Sequence, residues 1–196
     1  MVGATKGRQR QRISPARTEL MSLVAEGSRD LARARQLVDA LIAERVPFDE
    51  SLLGGGPWQV VFSSGPLLWQ AWTALGDSLT PRRIGRRTNK ASQDFDPAQR
   101  SVVNRGEVLG AYVFVTASGT YRPLDASATT PVEIKASIES GCLHLGRRQV
   151  GLPIKGSGRV SIAYLDADLR VFRSSSGSTT VQMREAELAR LLGGSP

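Results

Sequence analysis

Val132-Glu133-Ile134-Lys135-Ala136-Ser137-Ile138-Glu139 alternates apolar and polar residues without a break, and its reading sets the reading of the whole chain. A period of two with one polar face marks an antiparallel strand that is wet on one side. Upstream, Trp58, Val60 and Phe62 alternate with Gln59, Val61 and Ser63. Downstream, Val160, Ile162 and Tyr164 form one face, and Leu169 and Val171 form another beyond a turn at Leu165–Ala167. Further strands are expected at 90–95, 100–105, 110–117, 119–123, 142–146 and 178–183. Short strands in such number, joined by Gly, Ser, Pro and Asp turns, predict a sandwich or an up-and-down barrel.

Helices flank this β region. Ser14-Pro15 reads as an N-cap followed by proline at the first helical position. Leu20, Leu23 and Val24 supply a short apolar face that ends near Gly27. Ser28 is expected to cap a second helix, on which Leu31, Ala34, Val38, Leu41 and Ile42 recur at helical steps until Pro47. Residues 184–192 read as a short closing helix with Leu188, Leu191 and Leu192 on one side. The expected layout is a basic, flexible arm at 1–13 and one domain at 14–192, with helices over about 14–46 and strands over about 57–183. The chain has 196 residues, a length for one such domain, and no run of 18 apolar residues.

The charge is concentrated. Lys and Arg number 26 against 18 Asp and Glu, a formal net charge of +8. Lys6, Arg8, Arg10 and Arg12 lie in a stretch without an acid, and so do Arg82, Arg83, Arg86, Arg87 and Lys90. The rest of the chain is close to neutral. Such clusters attract phosphate on nucleic acid or on anionic lipid. Neither contains an aromatic residue on which a base would stack, which argues against single-strand recognition. The first cluster, rich in arginine and free of acid, also suits the remnant of an organelle transit peptide.

Material for catalysis is sparse. One cysteine, Cys142, and one histidine, His144, leave no disulfide, no cysteine-cluster metal site and a single candidate imidazole base. They stand two residues apart in a strand and share a face, but no nucleophile motif surrounds them. Gly54-Gly55-Gly56 precedes a strand, where a phosphate-binding loop would open a helix with Gly-Lys-Ser/Thr, so it reads as a turn. Lys155-Gly156-Ser157-Gly158 reads as a flexible hairpin loop. Asp168 and Arg170 should share a strand face and pair across a hairpin whose turn holds Asp166. Trp69 and Trp72, in an apolar stretch, are read as core or as the lip of a cavity.

Several segments together resemble one family, the plastid lipid-associated protein (PAP)/fibrillin domain. Gly56-Pro57-Trp58-Gln59-Val60-Val61-Phe62-Ser63-Ser64 is similar to its Gly-x-Trp strand. Gln93-Asp94-Phe95-Asp96, Val102-Val103-Asn104 and Leu152-Pro153-Ile154 follow in the family's order. The most specific likeness is Ala163-Tyr164-Leu165-Asp166-Ala167-Asp168-Leu169-Arg170-Val171. The chain departs from the pattern at Arg173-Ser174, where the family continues with Arg-Gly. The resemblance implies a mainly β fold, a lipocalin-like antiparallel β-barrel with N-terminal amphipathic helices and a short C-terminal helix. It also implies a plastid location, soluble or peripheral on plastoglobules or thylakoids.

On that basis the chain is expected to bind or organise carotenoids, prenylquinones or other lipids, with no catalysis, cofactor or metal. Trp58, Phe62, Tyr112 and Phe114 are the expected cavity lining. Tyr164, Asp166, Asp168 and Arg170 form the signature hairpin, expected to be structural. Arg82, Arg83, Arg86, Arg87 and Lys90 are the expected contact to an anionic surface. An accessory role beside a plastid prenylquinone-biosynthesis enzyme is the alternative. Nucleic-acid binding ranks behind both, and an enzyme last.

Overall fold

The computed structural model of the chain describes residues 14–64, 84–85 and 90–193. The basic stretch 1–12, Trp69, Trp72, Arg82, Arg83, Arg86 and Arg87 therefore lie outside the described residues. Helix α1 (Pro15–Glu26) begins as its sequence predicts, because the Ser14 hydroxyl accepts from the Arg17 N–H at 3.1 Å. It ends where Gly27 takes a left-handed φ of 63°. Helix α2 (Leu31–Ala43) is capped by Asp30 rather than Ser28: the Asp30 carboxylate accepts from the Arg33 N–H at 2.8 Å. Ser28 supports that cap from behind, its hydroxyl accepting from the Asp30 N–H. A 3-10 turn (Glu50–Leu53) then leads into the strands.

The strands are β1 (Trp58–Ser63), β2 (Ala91–Asp96), β3 (Ser101–Leu109), β4 (Val113–Pro123), β5 (Val132–Leu145), β6 (Arg148–Leu152), β7 (Gly156–Leu165), β8 (Leu169–Ser174) and β9 (Thr179–Arg184). Helix α3 (Glu185–Leu191) closes the described chain. Eight strands form a closed antiparallel barrel in the order β4-β3-β2-β1-β9-β8-β7-β5, sealed by β4 against β5. The fold is thus a mainly β, lipocalin-like barrel with helices, as the resemblance implies, and not the sandwich that the strand pattern also allowed. Strand β5 is long enough to take two neighbours along one edge, β7 over Val132–Ile138 and β6 over Gly141–Leu145. Gly156 and Gly158, read as loop from the sequence, belong to β7.

Two apolar cores share the barrel wall. The outer one lies under the helices: Leu20, Val24, Val38 and Leu41 pack on Phe62, Tyr164, Leu169, Val171, Val181 and Met183. The inner one fills one end of the barrel with Leu53, Trp58, Phe95, Val102, Tyr121, Ile134, Ile162, Leu165 and Phe172. The wall beneath the helices is buried on both sides, and β1 and β9 are apolar or buried almost throughout.

β-bulges decide which side chain joins which core. The register slips between Val60 and Phe62 on β1 and between Ile162 and Tyr164 on β7. One extra residue inverts the alternation beyond it. Phe62 and Tyr164, expected on the face of Trp58 and Ile162, therefore point outward to the helices.

Candidate functional site

The barrel is plugged at the 3-10 end. Trp58 is fully buried and its indole N–H donates to the Leu53 carbonyl at 2.9 Å. Two guanidinium groups lie on its ring, Arg184 at 4.3 Å and Arg170 at 4.5 Å from the centroid. Arg184 ties the plug together, donating to the Ala167 carbonyl at 2.5 Å and to the Leu52 carbonyl at 3.0 Å. Gly55, with a φ of 89°, passes close by: a Cβ there would stand 3.0 Å from Arg184 Nη1. The glycine run is therefore a turn, as its sequence context predicts, and it makes room for a cation.

Arg170 is completely buried. Its Nε donates to Gln182 Oε1 at 2.6 Å, its Nη2 to Gln93 Oε1 at 3.1 Å and its Nη1 to the Leu53 carbonyl at 3.4 Å. Phe95 and Phe172 lie 4.8 and 4.9 Å away and complete an aromatic cage with Trp58. Among the described residues none of its hydrogen bonds goes to a carboxylate. Burial, reinforced by the nearby Arg184 charge, pulls its pKa well below the ordinary arginine value. The expected Asp168–Arg170 pair does not form. Strand β8 begins only at Leu169, so Asp168 belongs to the turn and the two-residue alternation does not reach it.

The two aspartates face the helices instead. Asp166 Oδ2 accepts from Arg17 Nε at 2.7 Å and from the Tyr164 hydroxyl at 3.0 Å, while Asp168 accepts from Arg17 Nη2 at 2.9 Å. Asp166 Oδ1 receives the N–H groups of Asp168 and Leu169, closing the turn. Burial works against the Arg17 charge, but Asp166 and Asp168 outweigh it and raise its pKa. Burial, with Asp166 alongside, raises that of Tyr164. The hairpin is thus a clasp between α1 and the barrel, buried at Asp166 and partly exposed at Asp168.

Beyond the Arg170 layer the barrel is open. Two adjoining compartments of about 250 and 470 Å³ share Gln93, Asn104, Ala136, Ile138, Gly158 and Val160 in their walls. Ligand pockets in proteins occupy roughly 300–1,000 Å³. Phe95, Val102, Ile134 and Phe172 line the deeper part, and Val115, Ala117 and Ile154 the outer part. Gln93, Asn104 and Gln182 place amides on the floor, with Gln93 Nε2 donating to Asn104 Oδ1 at 2.6 Å. Lys155 and Arg159, both exposed, stand at the mouth. No carboxylate lines either compartment among the described residues.

No family model matches the chain, and no curated protein or solved structure shows significant similarity to it.

The four expected cavity residues lie elsewhere. Trp58 is inside the barrel but beneath the floor, and Phe62 is in the outer core. Tyr112 is 80% exposed in the β3–β4 turn. Phe114 points outward, stacked on His144 at 4.2 Å with Arg105 3.6 Å above its ring. The face that does line the cavity is the alternating one of β5, through Ile134, Ala136 and Ile138. The amides Gln93, Asn104 and Gln182 were missed, because a polar residue in a strand reads as solvent-facing. The signal that would have found them is their place in alternation with Phe95, Val102 and Thr180.

Cys142 and His144 do share a face, as expected, and it is the outer one, where His144 is engaged by Phe114 and by the Thr116 hydroxyl, 3.0 Å from its Nε2. Among the described residues, no three His, Cys, Asp or Glu side chains gather as metal ligands would. Of the basic segment only Lys90 is described. It is exposed, and its backbone N–H donates to Glu107 Oε2 at 3.0 Å.

A second feature adjoins the cavity mouth. The β3–β4 turn and the β5–β6 turn lie side by side, the Gly146 N–H donating to the Tyr112 carbonyl at 2.8 Å. Leu109, Tyr112, Leu145 and Val150 are all exposed there, beside Arg147 and Arg148. Among the described residues no helix is long and apolar enough to cross a membrane.

Proposed function

We propose that the chain is a non-catalytic lipid-associated protein that holds a hydrophobic molecule inside its barrel, as the PAP/fibrillin resemblance implies. The carrying observation is the cavity itself, apolar in its walls, bounded below by amides and open at one end. Burying an apolar chain there gains about 25 cal/mol per Å² of surface removed from water. Prenylquinones, carotenoids and acyl lipids are the ligand classes in this reading, and plastoglobules or thylakoids its setting. The exposed Leu109, Tyr112, Leu145 and Val150, flanked by arginines, support peripheral contact with a lipid surface at the cavity mouth. A ligand would then pass from lipid to cavity without crossing water.

Trp58 lies directly under the floor and supplies the test. Delipidated protein titrated with a plastoquinone analogue should show saturable tryptophan quenching at a one-to-one ratio. Gly158→Leu, which extends a side chain into space where a Cβ meets nothing within 4 Å, should abolish it. Linear quenching that the substitution leaves unchanged would end the carrier reading.

A further inference from the structure

We infer that the cavity selects single-chain amphiphiles with a carboxylate head, seated on Gln93 and Gln182 in front of Arg170. The inference rests on the carrier reading and specifies its ligand. Its starting point is a guanidinium sealed inside the barrel whose direct partners among the described residues are amides, carbonyls and aromatic rings. Asp94, exposed on the outer face of β2, acts on it through space alone. A buried cation without a directly bonded anion is costly, and an anion brought close to it relieves that cost.

The chemistry of the floor conveys this charge to the cavity. Arginine has only donors, so the amides that meet it must turn their oxygens toward it. Gln93 and Gln182 do so. Their NH₂ groups are then directed away from the cation, and both residues line the cavity. The Gln93 NH₂ steadies Asn104, while that of Gln182 is the donor left over. Each amide, polarised by the guanidinium behind it, is a better donor than a free one.

The remaining walls agree in sign. Lys155 and Arg159 stand at the mouth, and the lining holds no carboxylate among the described residues. A cationic head would meet like charge at the mouth and find no carboxylate among the described lining residues. A hydrocarbon without a head would leave the amides facing apolar matter. A neutral head would accept a hydrogen bond but leave Arg170 uncompensated. A carboxylate satisfies the donors and the charge together, with its chain along Ile134, Ile138, Val160 and Phe172.

The test compares cis-parinaric acid with its methyl ester, which differ in charge and little else. The native chain should bind the acid about tenfold more tightly, the worth of a charge-assisted hydrogen bond. Arg170→Met removes the charge but strands the Gln93 and Gln182 oxygens and so lowers stability; in the folded variant the two affinities should come together because the acid is weakened more than the ester. Lys155→Gln with Arg159→Gln, both exposed, should lower acid affinity by more than ester affinity whether or not the Arg170 variant folds. Equal binding of acid and ester by the native chain overturns the inference while the carrier reading stands. Binding of neither overturns both.

Discussion

Asp166 accepts hydrogen bonds from Arg17, from the Tyr164 hydroxyl and from two backbone N–H groups of its own turn. Removing one member of a buried, hydrogen-bonded pair strands the others, so Asp166→Ala should cost about 3 kcal/mol in urea denaturation. Asp168→Ala, whose carboxylate is partly exposed, should cost under about 1 kcal/mol. The same cluster sets an alkaline limit. Burial and then Asp166 raise the Tyr164 pKa above its ordinary 10.0. A raised folded-state pKa gives stability that is complete below the unfolded value and lost as pH climbs toward the folded one. The melting temperature should therefore fall above about pH 10, and less steeply in Tyr164→Phe, which has no proton to lose. An equal slope in both proteins would remove Tyr164 as the cause. The hairpin was legible as a structural motif because its residues are contiguous. Its partner was not, since Arg17 lies 149 residues from Asp166 and only the packing of α1 brings them together.

At the scale of elements, the signals for α1 are local and agree with the structure, Ser14, Pro15 and Gly27 bracketing it, whereas the cap of α2 falls at Asp30 and not at Ser28. The strand alternation held where no bulge intervenes, as along Val132–Ile138. It failed at Phe62 and Tyr164, because a bulge is a cross-strand event that leaves no mark in the residues themselves. A third slip, between Ser118 and Gly119, has a sharper requirement. A Cβ at Gly119 would stand 1.9 Å from the Ser137 carbonyl oxygen and 2.8 Å from the Ile138 Cα, both backbone atoms that cannot swing aside. Gly119→Ala should destabilise the barrel by on the order of 3 kcal/mol. Gly158→Ala, with open space at its Cβ, should stay within about 0.5 kcal/mol of the parent. Thermal melts of the two variants, followed by circular dichroism, make the comparison; similar melting temperatures would refute the steric account of Gly119.

In the whole molecule, the helices lie outside the wall and the 3-10 turn plugs one end, so the unfilled volume collects at the other, beside the exposed turns. That arrangement predicts a directional protein. Flotation with vesicles containing anionic lipid should carry the native chain upward, and Leu109→Glu with Tyr112→Glu should leave it at the bottom. Retention of flotation would shift any lipid contact away from these turns. Most strands were legible in the sequence by their alternation, but Arg148–Leu152 carries no such signal. Strands β4 and β5 each read as two, and the residues alone left a sandwich and a barrel open. The cavity was not legible, because whether a barrel is hollow depends on the summed size of inward residues from every strand, and Ala136, Gly158 and Ala117 leave room that Trp58 and Phe95 fill lower down. The branching of β5 carries one more consequence. Strand β6 pairs only with β5 among the described residues, so its other edge presents backbone donors and acceptors that a second polypeptide is built to match. Its short length and Arg148 are the devices by which proteins discourage such strand addition. The closed barrel thus keeps one strand edge that is unpaired among the described residues, with a charge at position 148 of the kind that discourages self-assembly.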